Sequence, residues 1–462
     1  MMPRVLFATA ELAPVASVGG LASAAAGLVG ELRRQGVDVV VALPDYSGVE
    51  LEGEHRFSVD VPVWAGPASV RVGRHPVVGE LHLVDVPGIA RTHPYLAHDG
   101  HGWHDNDVRF LAFSAAVAAL WRDVDADVLH LNDWHTASAL GALDTTPPSV
   151  LSIHNLAYQG TCDGRWLSRL GPHAGAYEWW GACNPLKGGL LLADAVVAVS
   201  PTYAREIVEP AGGFGLHNVL RSRASSLHGI LNGIDTTVWD PRTDAHLRVT
   251  YGPDDLAAKA VARRELLSEL ALRDDGAPLA VMVTRLTEQK GTDLLPGLVR
   301  FLDRLPLRLA VLGAGEAGTA AALHQAVGEH PGSVAFVEGY DEGLSHRLFA
   351  AGDLLLMPSR FEPCGLSQMQ AMAYGTLPVV TDVGGLHDTV VDLDDDPRSG
   401  TGVVVARAAE SDLVDGLHRA VRAVADPVRR ATAQANGIAV DWSWRAPALA
   451  HLELYRDVIA RR

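Results

Sequence analysis

Short apolar runs alternate with amphipathic stretches along most of the chain. Residues 5–8 have the pattern of a buried strand, and 22–35 have the spacing of an amphipathic helix that ends at Gly36. A second apolar run follows at 37–43. Strand, helix and strand in this order are typical of a parallel sheet. Further strands are predicted at 128–131, 149–153, 195–198 and 229–231.

The same alternation begins again after Asp240 and Pro241. A helix is predicted over about 254–272, followed by strands at 279–284, 307–312, 334–337, 354–358 and 377–381 with helices between them. We therefore predict an α/β fold of two Rossmann-like, doubly wound domains, residues 1–241 and 242–442. The last segment, 443–462, is predicted to form a helix that packs back on the first domain.

Ligands of doubly wound sheets bind in the loops at the carboxyl ends of the strands. We expect the two domains to face each other with these ends. In the first domain, Gly19 and Gly20 directly precede the first helix, where backbone N–H groups and the helix N-terminus favour an anion. The alternative is an ordinary turn into a helix, since many glycine turns bind nothing.

Two polar segments also follow strands of the first domain. Residues 130–135 include Asp133 and three polar neighbours, and 154–160 begin with His154 and Asn155. These side chains suit hydrogen bonding to sugar hydroxyls. Their spacing matches no standard zinc pattern, so we expect no metal.

A glycine-rich turn in the second domain, residues 313–318, formally reads GxGxxG. A dinucleotide site needs this motif after the first strand of its domain, whereas here it follows the second. We therefore favour a tight turn into a helix over a nicotinamide site. We also expect no bound cofactor.

Two other loops of the second domain carry charge. Arg285 and Lys290 share one loop, and a guanidinium fork with a point charge suits a pyrophosphate, although a solvated loop with two ordinary cations is the alternative. Glu362 precedes a turn at a helix start, where a carboxylate could accept hydrogen bonds from a sugar. We interpret Cys364 in that turn as a packed thiol, because no partner histidine lies near it in sequence.

Composition narrows the class of protein. The chain has 462 residues and a formal net charge of −17, which argues against a nucleic-acid partner because such proteins usually present a basic face. Its three cysteines form no CxxC pair, so a zinc ribbon or a disulfide framework is not expected. We expect no secretory leader, because no basic segment followed by a long apolar stretch and a cleavage site is seen, and no membrane span, because no uninterrupted apolar run reaches ~18 residues. We expect a cytoplasmic protein.

Together the segments resemble the bacterial glycogen synthase and plant starch synthase family. The resemblance runs through nearly the whole chain in order. It is carried by Gly19-Gly20-Leu21, Asp107 to Phe113, Asp133-Trp134-His135, His154 to Gly160, Leu186-Lys187, Val199 to Ala204, Leu231 to Asp235, Arg285 to Gly291, Gly339-Tyr340, the Glu362 loop and Gly384 to Thr389.

The resemblance implies a GT-B fold with a C-terminal crossover helix and a retaining, metal-independent glycosyltransferase. The implied donor is an NDP-sugar, ADP-glucose or another NDP-hexose, and the acceptor is an α-1,4-glucan or oligosaccharide. Its implied catalytic residues are His154 beside the anomeric carbon, Arg285 and Lys290 on the diphosphate, and Glu362 on the sugar hydroxyls. The other implied contacts are Tyr340 on the base; Gly19, Gly20, Cys364, Gly365 and Leu366 around the donor; and Tyr95, Asp133 and Asn155 on the sugars.

Two positions depart from the family pattern. Ser17 and Ser23 stand where the family's first loop has a lysine and an aspartate. A charged hydrogen bond is worth roughly 1.5–3 kcal/mol, so its loss would weaken binding about 10–200-fold. A cation from elsewhere could compensate, the donor could differ, or the product could be something other than a storage glucan.

These departures leave a second enzymatic hypothesis. It is a pseudo-glycosyltransferase of specialised metabolism that couples a nucleotide-activated cyclitol of the GDP-valienol type to an amino-sugar oligosaccharide, as in acarbose biosynthesis. A third hypothesis, a degenerate carbohydrate-binding protein, is disfavoured because His154, Arg285, Lys290 and Glu362 are all present.

Overall fold

The computed structural model describes residues 2–97, 100–302 and 305–462. The chain divides into two compact units. The first consists of Met1–Gly233 together with Trp444–Arg462, and the second is Ile234–Ser443. The sequence placed the corresponding boundaries at 241/242 and 442/443.

The first unit is built on a nine-stranded sheet with a separate two-stranded hairpin. Its strands are β1 (Arg4–Ala8), β2 (Asp38–Pro44), β3 (Glu52–Val59), β4 (Ala68–His75), β5 (Gly79–Asp85), β6 (Val128–Asn132), β7 (Ser149–Ile153), β8 (Glu178–Trp179), β9 (Ala182–Cys183), β10 (Ala195–Ala198) and β11 (Leu227–Gly229). Its helices before residue 233 are α1 (Gly20–Arg34), α2 (Asn106–Asp123), α3 (Trp134–Ala137), α4 (Pro185–Leu192), α5 (Pro201–Glu206) and α6 (His217–Ser222).

The strand order of the large sheet is β11-β10-β7-β6-β1-β2-β5-β4-β3. From β11 to β5 all neighbours are parallel, as predicted for the strands that had been recognised. β3, β4 and β5 pair antiparallel, so the sheet is mixed rather than purely parallel. The prediction missed β3, which is exposed at nearly every position and has no apolar run, and it also missed β4 and β5, although both contain buried positions.

One predicted strand was wrong in position. The strand expected at 229–231 lies at Leu227–Gly229, whose residues are only half-buried. The apolar residues that suggested the later position continue into the loop beyond the strand.

The second unit holds a six-stranded, wholly parallel sheet in the order β14-β13-β12-β15-β16-β17. Its strands are β12 (Leu279–Val283), β13 (Arg308–Gly313), β14 (Val334–Glu338), β15 (Leu354–Met357), β16 (Leu377–Thr381) and β17 (Val403–Val405). Its helices are α7 (Lys259–Glu269), α8 (Leu295–Val299), α9 (Ala317–Glu329), α10 (Glu342–Ala351), α11 (Ser367–Ala373), α12 (Gly384–Thr389), α13 (Glu410–Ala425) and α14 (Pro427–Ala439). Among the strands described in this unit, the sequence pattern did not predict β17, which is three residues long.

The final helix, α15 (Arg445–Ala460), belongs to the first unit. Ala448, Leu452 and Tyr455 share the buried core of the sheet with residues of α1. The approach to α1 is close, because a Cβ placed on Gly27 would lie 1.9 Å from Nε1 of Trp444. Only glycine therefore fits at this crossing without a shift of the indole.

Candidate functional site

Lys290 and Glu362 meet in the second unit although 72 positions separate them in the chain. Lys290 ends a short turn after β12, and its ammonium nitrogen lies 2.5 Å from Oε2 of Glu362. The same oxygen accepts a hydrogen bond from the Ser359 hydroxyl at 3.1 Å. Glu362 is buried, and its carboxylate is tolerated there because a cation and a hydroxyl satisfy it.

Backbone contacts fix this pair. The N–H of Arg360 donates to the carbonyl of Gln289 at 2.8 Å, and the Gln289 amide donates to the carbonyl of Phe361 at 3.3 Å. Gly291 has φ 65°, and a Cβ there would lie 2.1 Å from the carbonyl oxygen of Pro358. Two loops that the sequence treated separately therefore form one rigid assembly.

Arg285 lies on the surface of the second unit, just beyond the end of β12. The next residue, Leu286, is buried and pairs with Gly315 of the glycine-rich turn. Cβ atoms at Gly313 and Gly315 would lie 2.1 and 2.2 Å from backbone oxygens of the Arg285 loop. These glycines therefore pack the turn against that loop.

The turn after Glu362 is closely packed. Cys364 is buried, and a Cβ on Gly385 would lie 2.0 Å from its carbonyl oxygen. Gly365 has φ 71°, and the amide of Gln368 donates to the carbonyls of Cys364 and Gly365 at 3.1 and 3.0 Å. Leu366 is half-buried and directly precedes the first residue of α11. The packed environment of Cys364 agrees with a structural thiol.

Tyr340 stands apart from this packing. It follows β14 and Gly339, and 84% of its surface is exposed. A ring presented in this way is accessible to a flat ligand such as a nucleobase.

In the first unit, the loop before α1 is fastened by Glu11, a residue that the sequence reasoning missed. One oxygen of its buried carboxylate accepts hydrogen bonds from the N–H groups of Val18 at 2.8 Å and Gly19 at 2.9 Å. Its other oxygen accepts one from the Tyr95 hydroxyl at 2.7 Å. The N–H of Gly19 is therefore already engaged, whereas Gly20 is the first residue of α1.

The two departures from the family pattern are both exposed. Ser17 lies in the loop directly before Val18, and Ser23 lies in the first turn of α1. The carboxylate of Glu11 is thus the charge closest in sequence to an expected anion site.

Asp133 joins the two polar segments of the first unit. It lies after β6 with φ 54°, a conformation that is uncommon for a residue other than glycine. Its carboxylate accepts the N–H of His154 at 2.8 Å and also the N–H of Asn155. Burial raises the pKa of Asp133 to about 7, against the opposing effect of these two hydrogen bonds.

His154 is held in one orientation by Asn132. The side-chain N–H of Asn132 donates to the Ala8 carbonyl at 2.9 Å, so its oxygen is the atom 2.9 Å from Nε2 of His154. Nε2 therefore carries the proton, by the hydrogen-bond network. Burial, with a smaller effect of nearby His451, lowers the pKa of His154 to about 3. The ring is neutral near pH 7.

A small cavity with room for about one water lies beside His154. Its polar lining includes Asn132, Ser152 and His451, the last of these from α15. Below it, His130 bonds the Tyr455 hydroxyl at 2.6 Å and the Ser152 hydroxyl at 2.8 Å. Polar side chains of β6, β7 and the final helix thus line the space beside His154.

Two aspartates of the acidic run at 392–396 form ion pairs with arginines. Arg419 contacts Asp392 at 2.5 Å and Asp394 at 2.7 Å, and Arg429 contacts Asp394 at 2.6 Å. Within residues 2–97, 100–302 and 305–462, no group of three or more His, Cys, Asp and Glu side chains is arranged to hold a metal ion. In the same residues, no helix combines the length and the apolar character needed to cross a membrane.

Comparison with known proteins decides the family. Residues 4–222 match the family described as Starch synthase catalytic domain, and 264–436 match Glycosyl transferases group 1. The glycogen synthase of Halorhodospira halophila is 44% identical over 99% of this chain and 100% of its own length. That of Acidiphilium cryptum is 40% identical with the same coverage. The chain belongs to the glycogen and starch synthase family.

Solved structures agree with this membership. The catalytic domain of starch synthase IV from Arabidopsis thaliana, bound to ADP and acarbose, has a TM-score of 0.90 and 30% identity, with full coverage of both chains. Sucrose-phosphate synthase from Thermosynechococcus elongatus has a TM-score of 0.67 at 19% identity and supports the fold alone. The protein is a GT-B glycosyltransferase, and the sequence-based predictions of family, fold and enzyme class are confirmed.

The main functional prediction is confirmed as well: the enzyme transfers a glycosyl group from a nucleotide sugar. The pseudo-glycosyltransferase alternative is not favoured, because the full-length relatives are glycogen synthases.

Proposed function

We propose that this enzyme extends an α-1,4-glucan with glucose from ADP-glucose and retains the anomeric configuration. The observation that carries the proposal is the Lys290–Glu362 pair, which places an ammonium beside a buried carboxylate in one rigid assembly. Such a pair can bind both parts of a nucleotide-sugar donor. The ammonium can bind the diphosphate, and the carboxylate can accept hydrogen bonds from the sugar hydroxyls.

Side chains of the second unit would stabilise the negative charge that develops on the leaving group. When the bond from the anomeric carbon to the diphosphate breaks, its electron pair goes to the phosphate oxygen. Lys290 and Arg285 would stabilise that charge, and preorganised groups of this kind lose little to reorganisation during the reaction. We therefore propose that no metal ion or organic cofactor takes part. Tyr340 would stack on the base, and the 364–366 turn would line the donor.

The first unit would serve the sugars. His154 is neutral near pH 7 and would contact the donor sugar near its anomeric carbon as a dipole rather than as a cation. Asp133 fixes the backbone of His154 and Asn155, while Tyr95 fixes the Glu11 loop. In this proposal Asp133, Asn155 and Tyr95 act at the edge of the acceptor position, with Gly19 and Gly20 beside the donor.

The test is a matrix of donors and acceptors. ADP-, UDP- and GDP-glucose are each offered with maltose, maltoheptaose and glycogen, and nucleotide release and product length are measured with and without EDTA. Chain extension fastest with ADP-glucose and unaffected by EDTA is the expected result. Tight binding of one nucleotide without glucose transfer from any donor would contradict the proposal.

A further inference from the structure

The hairpin β8–β9 presents an indole ring to solvent. Trp180 forms its tip with Gly181, and 88% of the Trp180 surface is exposed. Tryptophan buries more apolar area than other side chains when it finds a partner, so such exposure is uncommon. The exposure of this ring therefore suggests that it binds a ligand or has another function.

The backbone at the tip is held in an unfavourable conformation. Trp180 has φ 52°, in the left-handed region that residues with a Cβ rarely adopt. Gly181, with φ 83°, is the residue type suited to that region. A strained non-glycine residue that persists in a folded protein points to a functional requirement.

The hairpin is rigidly supported. The Glu178 carboxylate accepts the N–H of Gly181 at 2.9 Å, and a Cβ on Gly164 would lie 2.1 Å from the Gly181 carbonyl oxygen. Cys162 and Cys183 exchange backbone hydrogen bonds at 2.8 and 2.9 Å. The backbone that carries Trp180 is thus held in place by hydrogen bonds and close packing.

Trp179 lies next to Trp180, and Phe214 is brought to the same region by its chain neighbour Gly215, which approaches Trp179 closely. Trp179 packs edge-on to Trp180, with ring centroids 6.1 Å apart, and its indole lies 3.4 Å from a Cβ placed on Gly215. The neighbouring Phe214 is 39% exposed and also has a positive φ, 46°. We call Trp179, Trp180 and Phe214 the aromatic patch.

The aromatic patch is attached to the segment that carries His154. The amide of Gln159 donates to the Phe214 carbonyl at 2.9 Å and its oxygen accepts from Asn184 at 2.7 Å. Gln159 lies so close to His154 in sequence that the chain between them spans at most about 18 Å. The patch and the candidate sugar site therefore belong to one hydrogen-bonded part of the first unit.

We infer that the aromatic patch binds glucose residues of the acceptor chain away from its reacting end. A pyranose ring has apolar C–H faces that lie flat on aromatic rings, and its hydroxyls remain in water. The three rings are uncharged and the Glu178 carboxylate beside them is negative, so the chemistry of the patch fits a neutral glucan rather than the anionic nucleotide donor. This inference rests on the proposed function, because it requires a glucan acceptor.

The test compares long and short acceptors with the Trp180→Ala variant. The glycogen concentration at half-maximal rate should rise about tenfold, the effect of about 1.4 kcal/mol, with little change for maltotriose or for the donor. Trp180→Phe should restore most of the preference for glycogen. Val428→Ala, which truncates an exposed side chain of the second unit, is the matched control and should behave as wild type.

Three readouts keep the inference falsifiable. The melting temperature of Trp180→Ala should match wild type, because the ring is exposed; a large drop would mean a structural role. Loss of a dimer in sedimentation, with glycogen kinetics unchanged, would assign the patch to protein contacts and overturn the inference. Calorimetric binding of maltoheptaose without donor tests the patch directly: unchanged affinity in the variant overturns the inference, even if wild type extends no glucan and the proposed function itself fails.

Discussion

The ammonium of Lys290 lies 2.5 Å from a carboxylate oxygen of Glu362, and only 5% of the Glu362 side chain is exposed. Each residue is placed by a loop that follows a different strand of the second sheet. The pair is therefore a product of the fold and not of local sequence.

Lys290→Ala should lower turnover about 10–200-fold, the cost of one lost charged hydrogen bond in the transition state. It should also destabilise the second unit, because Glu362 remains buried without its cation. Initial rates and urea unfolding measure the two effects. Arg347→Ala, which removes an exposed ion pair with Glu269, is the control and should change neither rate nor stability much. A nearly normal rate for Lys290→Ala would remove the lysine from the mechanism.

Asp133 predicts a pH dependence. As pH falls through about 7, the carboxylate gains a proton and holds the N–H groups of His154 and Asn155 less strongly, so the rate should fall. Its contribution to stability has the opposite sign. The folded pKa is raised from 3.8, so the stabilising contribution of Asp133 is greatest below pH 4 and is lost as pH rises through 7.

Asp133→Asn keeps the size of the side chain and should remove both effects. The measurements are kcat/KM against pH and urea unfolding at pH 5.5 and 8. An acid limb near pH 7 that survives in the variant would assign it to another group.

Glu11→Gln tests the fastening of the loop before α1. The NH2 group of the new glutamine would replace one of the two carboxylate oxygens that now accept hydrogen bonds. Either the N–H groups of Val18 and Gly19 or the Tyr95 hydroxyl would then face a donor, at a cost of about 1–3 kcal/mol. We expect a lower unfolding free energy and a higher KM for the donor. Tyr95→Phe removes a single hydrogen bond and should cost only about 0.5–1.5 kcal/mol. Equal effects of the two variants would contradict the central place of Glu11.

Ser17→Lys should raise activity with ADP-glucose if the first loop is merely weakened. Position 17 is exposed and adjoins Val18, which bonds the Glu11 carboxylate, so an added cation needs no repacking. Turnover with ADP-glucose is measured beside Ser23→Asp and the double variant. No gain from any of the three would mean that the pocket accepts a different donor or compensates with another cation.

Gly27→Ala should destabilise the first unit by about 1–3 kcal/mol, because the new methyl group overlaps the Trp444 ring. Gly30→Ala in the same helix is the matched control. Nothing lies within 4 Å of a Cβ at Gly30, so that change should be neutral or stabilise by up to about 1 kcal/mol. The melting temperatures of both variants, measured by thermal unfolding, test this difference. Similar melting temperatures would show that α1 and α15 can separate without cost.

Hydrophobic pattern was sufficient where strands are buried on both faces. The runs at 149–153 and 377–381 became β7 and β16 with the predicted bounds. Strand β3 was missed because it is largely solvated, and pattern alone cannot reveal an edge strand without an apolar face. The contact between Gly27 and Trp444 was also not predictable, because the two residues lie far apart in the sequence.

Candidate residues were predictable singly, but their partnerships were not. Lys290 and Glu362 each have a recognisable loop, yet their contact spans 72 positions and follows from the order β12-β15 in the sheet. Glu11 and Asn132 act by holding other groups, through hydrogen bonds that only coordinates reveal. A glutamate shortly before a glycine turn was the available signal for Glu11. The roles of the candidate residues in catalysis stay predictions.

The place of α15 has a consequence for biosynthesis. The second unit is inserted within the first, since Ile234–Ser443 interrupts a unit that resumes at Trp444. On the ribosome, the second unit can complete its own sheet while the first still lacks Leu452, Tyr455 and Val458 of its core. The first unit is therefore translated first but completes its fold last. Until α15 is synthesised, the apolar surface that α15 will cover stays exposed, and a chaperone would bind there.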